Sequence, residues 1–403
     1  MNRMRMLLAC LLAAAAAAMA GDTIVGFRTD TTGLYPHATP TIEWGPEKNV
    51  LWATDMPSWG NAMPVLVDGK IFVCAEPNSL LCVNAADGKI LWTRPSTYED
   101  VKAADPSAQV PGRLPKTERA NGYSSPTPTT DGKHVYALFG TGVLACFDLE
   151  GNRKWVRFTD VPPHKNYGAS ASPMRVAGKL LVHIRALTAY DPATGKQLWS
   201  QPKAKWSWGT PIPCGGGKAV VTAGGDVVRV SDGEILATKV GHSNYGSPMV
   251  LGDVVYQADF GSNSGTTAHK LTFTADGGVT VERLWQIGRH KSRRYYASPV
   301  LHEGLLYIIN ERNLFTVIDT ATGQDVHEQN LAELGRGRVY SSISIAGGYA
   351  FASHERGTTL VFKTGRTPRK VATNKLDMFR STPVFSGGRM YLRTYKKLYC
   401  IGT

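Results

Sequence analysis

The chain has 403 residues with 42 glycines and 23 prolines, a composition suited to a fold built from many turns. Its 45 Lys and Arg against 32 Asp and Glu give a formal net charge of +13, which points to acidic partners without naming them. Of six cysteines, five follow the first twenty residues; that odd number does not look like a disulfide framework.

Residues 1–20 read as a targeting segment. Arg3 and Arg5 give a basic start, Met6 to Ala18 an apolar run, and Ala18-Met19-Ala20 a small-x-small cleavage site before Gly21, so the chain is expected to be exported, periplasmic or secreted, with no transmembrane span. Leu7-Leu8-Ala9-Cys10 resembles a lipoprotein box, but the apolar run is short before Cys10 and continues past it. Lipid anchoring there is not expected. Gly21 to Trp44 is polar and turn-rich and reads as an arm laid over the fold.

Beyond the arm the chain is a set of worn copies of one unit, best preserved from Gly122 to Thr159 (GYSSPTPTTDGKHVYALFGTGVLACFDLEGNRKWVRFT). Period-two apolar alternation between Gly, Asp and Asn turns predicts four antiparallel strands per unit. The first-strand phrase recurs eight times, at Pro64, Pro126, Pro173, Pro211, Pro248, Pro299, Ile343 and Pro383. The fourth-strand phrase recurs seven times, at Trp92, Trp155, Trp199, Ala237, Trp285, His327 and Val371, and the chain stops before an eighth. The missing strand lies upstream, at Lys48–Ala53 ending in EKNVLW with Trp52.

A period of about 40–50 residues with four strands per repeat indicates an all-β, eight-bladed β-propeller. Residues 21–403 form one such domain, its last blade (379–403) closed by the strand at 48–53. Two stretches depart from the repeat: Ser96 to Asn121 inserts polar residues between two blades, and Gly261 to Gly278 reads as a mobile surface loop. Cys82, Cys146 and Cys400 share a third-strand position with Ala189 and read as small core residues, while a Cys74–Cys82 pairing stays open.

An aromatic residue precedes each first strand, at Trp59, Tyr123, Tyr167, Trp208, Tyr245, Tyr296, Tyr340 and Phe379, and should ring the mouth of the central channel. Basic residues accompany them. A candidate anion-binding mouth therefore comprises Lys165/Tyr167, Lys205/Trp208, His242/Tyr245, Arg294/Tyr296, Arg338/Tyr340 and Arg380; packing of the same aromatics between blades is the alternative. No zinc or calcium spacing, phosphate loop or nucleophile elbow is present, so no catalytic or metal residue is assigned. Export and the lack of any nucleic-acid motif argue against nucleic acid.

VNAADGKILW, FDLEGNRKW and AYDPATGKQLW resemble the tryptophan-docking repeats of the pyrroloquinoline-quinone (PQQ) propeller superfamily, over essentially Lys48 to Thr403. The resemblance implies that Trp52, Trp92, Trp155, Trp199 and Trp285 dock blades together. ANGYSSPTPTTDGKHVYALFGTGVLACFDL and RMYLRTYKKLYCIG resemble more closely the exported PQQ-like propellers of planctomycete-type bacteria. For quinoprotein dehydrogenases it would further imply a vicinal Cys-Cys disulfide, an acidic base and a Glu/Asn/Asp calcium set, and this sequence has no Cys-Cys pair. The preferred reading is a monomeric, non-catalytic propeller of BamB type that binds an envelope protein, an anionic glycan or a small anion, with no cofactor. A PQQ-dependent or other channel-mouth enzyme is the alternative.

Overall fold

In the computed structural model, which describes residues 23–118, 121–163, 167–259, 265–288 and 294–403, the alternating segments fold into eight antiparallel four-stranded sheets arranged as blades around a channel. Residues 1–20, expected to be a targeting segment, with Cys10, and also Lys165 lie outside the described residues. Blade eight is composite. Val50–Asp55 pairs antiparallel with Lys397–Ile401, in register from Val50 against Ile401 to Asp55 against Lys397, so the two ends of the chain close the ring.

Each inner strand is short and, except in blade seven where Ile343 stands in its place, begins directly after the repeat proline, as in Val65–Val67, Met174–Val176, Ile212–Cys214 and Val300–His302. Proline suits that place because it has no N–H to give to the ladder. In blade two the strand starts at Thr129, so Pro128 and not Pro126 is the equivalent residue.

The docking tryptophans sit on outer strands and reach the next blade. Trp155 Nε1 donates to the Pro192 carbonyl (2.9 Å), and its ring covers Gly195, where a Cβ would come within 2.6 Å of the indole and φ is +68°. Trp52, Trp92, Trp199 and Trp285 make the same contact with Gly88, Gly151, Gly233 and Gly323, each Nε1 donating to a carbonyl of the next blade. Across the ladder, each indole faces a small third-strand residue: Cys400 opposite Trp52, Cys82 opposite Trp92, Cys146 opposite Trp155, Ala189 opposite Trp199 and Ala268 opposite Trp285. A larger side chain there would crowd the indole. Trp155 is buried, whereas the other four are half-buried, since an outermost strand leaves one side of the ring to water.

Three stretches differ from the sequence reading. The insertion after blade one carries a helix, Tyr98–Ala104, started by a capping box between Thr97 and Asp100 and held to blade two by Asp100–Arg153 (2.7 Å). Most of 265–278 is ladder: Thr266–Phe273 and Val279–Ile287 form a long hairpin whose Phe273 packs on Gly215 of blade four, so the segment is anchored. The third is the arm, which runs inside the channel instead of over the surface. Ile24 bridges Leu66 of blade one, the Thr130 N–H donates to Val25 O, and Leu34–Tyr35 adds a parallel strand to Ser344–Ala346 of blade seven. Unpaired inner-strand edges attract it, and apolar Ile24 and Tyr35 gain burial there. All these contacts lie toward the ends of inner strands, so the arm closes the channel at the far side.

Candidate functional site

The mouth side of the channel is built on a belt of hydroxyls. The residue before each repeat proline donates its backbone N–H to the hydroxyl of the equivalent residue one blade on: Met63 to Thr127, Thr127 to Ser172, Ser172 to Thr210 and Thr210 to Ser247, at 2.9–3.1 Å. The series continues from Ser247 to Ser298, Ser298 to Ser342 and Ser342 to Thr382, at 2.9–3.0 Å. Met63 has no hydroxyl, and there the belt is open. The link is geometric: a residue before proline is held extended, which repeats the same N–H direction from blade to blade, and Ser342 before Ile343 keeps it.

Above the belt opens a cavity of about 620 Å³. Phe27 of the arm lines it, and since the arm fills the far side the cavity is blind. Five mouth aromatics form a continuous arc along one wall. Neighbouring ring centroids are 6.2 Å apart for Tyr167–Trp208, 5.3 Å for Trp208–Tyr245, 4.7 Å for Tyr245–Tyr296 and 4.7 Å for Tyr296–Tyr340. Arginines interleave with the last of these rings. Arg294 donates to Tyr296 Oη (3.3 Å), Arg338 donates to Tyr340 Oη (3.4 Å) and lies over the Tyr296 ring (5.9 Å), and Arg380 lies 3.9 Å over Tyr340. Those phenol contacts raise Arg294 and Arg338 above the usual arginine range, while burial raises Tyr245 and Tyr296.

Carboxylates that the sequence reading did not count stand behind this ladder. Glu311 and Glu355 come from the turns after second strands, which emerge on the same face. Glu355 accepts from the Arg338 N–H (2.8 Å) and from Arg380 Nη2 (2.9 Å), and Glu311 lies 3.9 Å from Arg338 Nε. Glu76 occupies the same repeat position, and Asp259 lies one residue earlier in its own repeat. Glu76 accepts the Tyr123 and Ser124 N–H groups at 2.7 Å, and burial nonetheless lifts its carboxyl above the ordinary value. The repeat alignment carried the signal: Glu76, Glu311 and Glu355 each stand four residues after the second-strand aromatic, Phe72, Tyr307 and Phe351.

Thus Tyr167, Trp208, Tyr245, Arg294, Tyr296, Arg338, Tyr340 and Arg380 are brought together around one cavity. Lys205 and His242 are not among the residues lining it: the Lys205 N–H is tied to Asp226, and the His242 ring meets Asn244 and Asp259. Phe379 is fully buried in the core, Trp59 packs edge-on against Tyr395, and the Tyr123 hydroxyl donates to Pro115 of the insertion. The opposite wall carries Asn61, Asn121 and Glu118.

No group of three His, Cys, Asp or Glu able to hold a metal occurs among the described residues, and their five cysteines are free and buried, so Cys74 and Cys82 are not paired. No chemistry is assigned to such a group. Among the described residues no helix is long and apolar enough to cross a membrane.

The chain is 25% identical over 182 residues to 1-butanol dehydrogenase (cytochrome c) of Thauera butanivorans, a match spanning 43% of this chain and a quarter of that protein. Its fold is similar to that of BamB from Moraxella catarrhalis (TM-score 0.60, 10% identity, 88% of this chain and 97% of that one). It is also similar to the quinohemoprotein alcohol dehydrogenase of Comamonas testosteroni (TM-score 0.57, 11% identity, 89% and 78%). At such identities the likeness is one of fold alone. A family model described as outer membrane protein assembly factor BamB matches residues 46–186 and 183–402, nearly the whole propeller, and the chain therefore belongs to this BamB-type family of PQQ-like propellers.

Proposed function

We propose that this chain is a non-catalytic binding propeller of the cell envelope whose channel mouth holds an anionic group on an envelope component. The observation that carries this reading is the alternation of Arg294, Arg338 and Arg380 with Tyr296 and Tyr340 at the rim of a blind cavity. Guanidiniums held by phenols and carboxylates are oriented before a ligand arrives, so less side-chain freedom is lost on binding. The family description supports protein partners for the propeller as a whole, with the outer rim left for them.

Titration of the purified protein with small anions at low and moderate salt tests the reading. Binding should weaken as salt rises and should fall in Arg294→Gln/Arg338→Gln without a matching loss of thermal stability. No binding of any anion at low salt, or an equal effect from Arg366→Gln on the far face, would overturn it. The second reading, a channel-mouth enzyme, draws on the 1-butanol dehydrogenase likeness. Dye reduction that depends on added PQQ and calcium would favour it.

A further inference from the structure

We infer that the cavity receives the end of an acidic saccharide chain, a terminal uronate-type residue, in preference to a through-running polymer or a flat polyacid; this rests on the anion-binding reading above.

Four observations converge. The arm closes the channel, with Ile24 bridged to Leu66 and Leu34–Tyr35 paired to blade seven, so a polymer cannot pass along the axis and must enter end-on. Along the wall, successive aromatic rings touch one another at 4.7–6.2 Å, leaving no slot into which a planar ligand could slide. Because Trp208 stacks on Tyr245 at 26° and Tyr296 on Tyr340 at 29°, the ring faces are spent on one another and the arc meets a ligand with edges and phenol oxygens, which suit the hydroxyls of a sugar more than a flat ring. The third observation is the belt. Each of its seven hydroxyls accepts a backbone N–H through an oxygen lone pair, and a hydroxyl retains one hydrogen to donate. Those donors, spread around the cavity at one depth, match a ligand with several oxygen acceptors at its tip.

The fourth is polarity across the mouth. Glu118 and Asn121 belong to the connection into blade two, and Arg294 to the connection into blade six, half a turn away around an eight-bladed ring. One side therefore carries the Glu118 carboxylate, and the facing wall carries guanidiniums that donate charge-assisted hydrogen bonds. A uronate has hydroxyl donors on one side and a carboxylate on another, and it satisfies both walls. A ligand with anionic groups all round would set one of them against Glu118, at a like-charge cost.

Calorimetric titration of the mature protein should use di- and trisaccharides of galacturonate, a long galacturonate polymer, a neutral glucose trisaccharide and benzene tricarboxylate. The short uronides are expected to bind roughly tenfold or more tightly than the neutral sugar, with polymer affinity tracking the concentration of chain ends. Arg338→Gln should weaken the uronides by roughly tenfold and leave the neutral sugar unchanged. Glu118→Gln should weaken the uronides and strengthen the tricarboxylate. Both side chains are exposed, and Arg366→Gln on the far face is the control for nonspecific charge effects. The inference is overturned if polymer binding tracks residues instead of ends, if the tricarboxylate binds more tightly than the uronides, or if Glu118→Gln moves neither. Salt-dependent, Arg338-dependent binding of the tricarboxylate with no uronide binding sinks this inference while sparing the anion reading; binding of nothing acidic sinks both.

Discussion

The backbone N–H of Thr210 donates to Oγ of Ser247, 2.9 Å away, across the joint between blades four and five. Both groups are buried at the floor of the cavity, so Ser247→Ala leaves the Thr210 amide without its protein acceptor. The expected cost is about 1–3 kcal/mol, and Ser298→Ala, which strands the Ser247 amide, should cost a similar amount. Urea denaturation checks this against Ser231→Ala in an exposed turn, which should stay within about 0.5 kcal/mol of the parent.

Docking of Trp155 on Gly195 predicts a matched pair of losses. Trp155→Ala should cost about 3–5 kcal/mol. Trp199→Ala should cost less, since that ring is half-buried. Gly195→Ala pushes a methyl into the indole at a positive φ and should exceed the roughly 1 kcal/mol of an ordinary glycine change. If equal midpoints were found for Trp155→Ala and Trp199→Ala, burial would not be what sets the energy of this contact.

Ring closure separates two N-terminal truncations. Removal of all residues before Met56 takes away the outer strand of blade eight and leaves Lys397–Ile401 as an open edge, so the product should aggregate. Removal of residues before Thr39 keeps that strand and the buried Trp44, and should give a soluble monomer with a lowered Tm. Size-exclusion chromatography distinguishes the outcomes.

Burial holds His183 well below the ordinary imidazole range, at about 4, so it is neutral in the folded state. The unfolded chain binds its proton near pH 6.5, and stability linked to this group is therefore complete above pH 6.5 and lost as pH falls toward 4. The loss is on the order of 3 kcal/mol. His183→Gln should flatten that acid limb in a Tm-against-pH series, leaving the smaller contributions of buried His269 and His354, which shift the same way.

Burial pushes the Cys82 and Cys146 thiols up to about 12 and Cys400 to about 11, so few thiolates exist at neutral pH. Iodoacetamide should label none of the three in the native protein and all of them in urea. Fast native labelling of Cys146 would mean that the third strand of blade two opens locally.

Blades were legible because their signals are local and repeated: glycine turns, alternating strands, and a tryptophan at one register. The orphan strand at Trp52 was readable for the same reason, since a counted deficit at one end matched a surplus at the other. The mouth was legible only in part. Tyr245 and Tyr296 follow the repeat, whereas Phe379 occupies the same written position and turns into the core, leaving Tyr395 of the neighbouring turn to meet Trp59. Glu311 and Glu355 were missed because turns after second strands reach the mouth from another part of each blade. The serines before proline were visible, but their role depends on the next blade, and no single repeat contains both partners.

Arg28 on the arm donates to the Ile343 carbonyl, 315 residues further along the chain, and the strand that follows the arm waits for the last five residues of blade eight. The N-terminal residues are synthesised first, and those from Arg28 onward are fully seated only when the final blades exist. Contacts of such separation slow folding through the loop they must close. Ile24 and Val25 find their partners in blades one and two, while Leu34–Tyr35 and the strand at Val50–Asp55 find theirs only in blades seven and eight, so the seating of the plug spans the whole of assembly and its far half is the step that ends it.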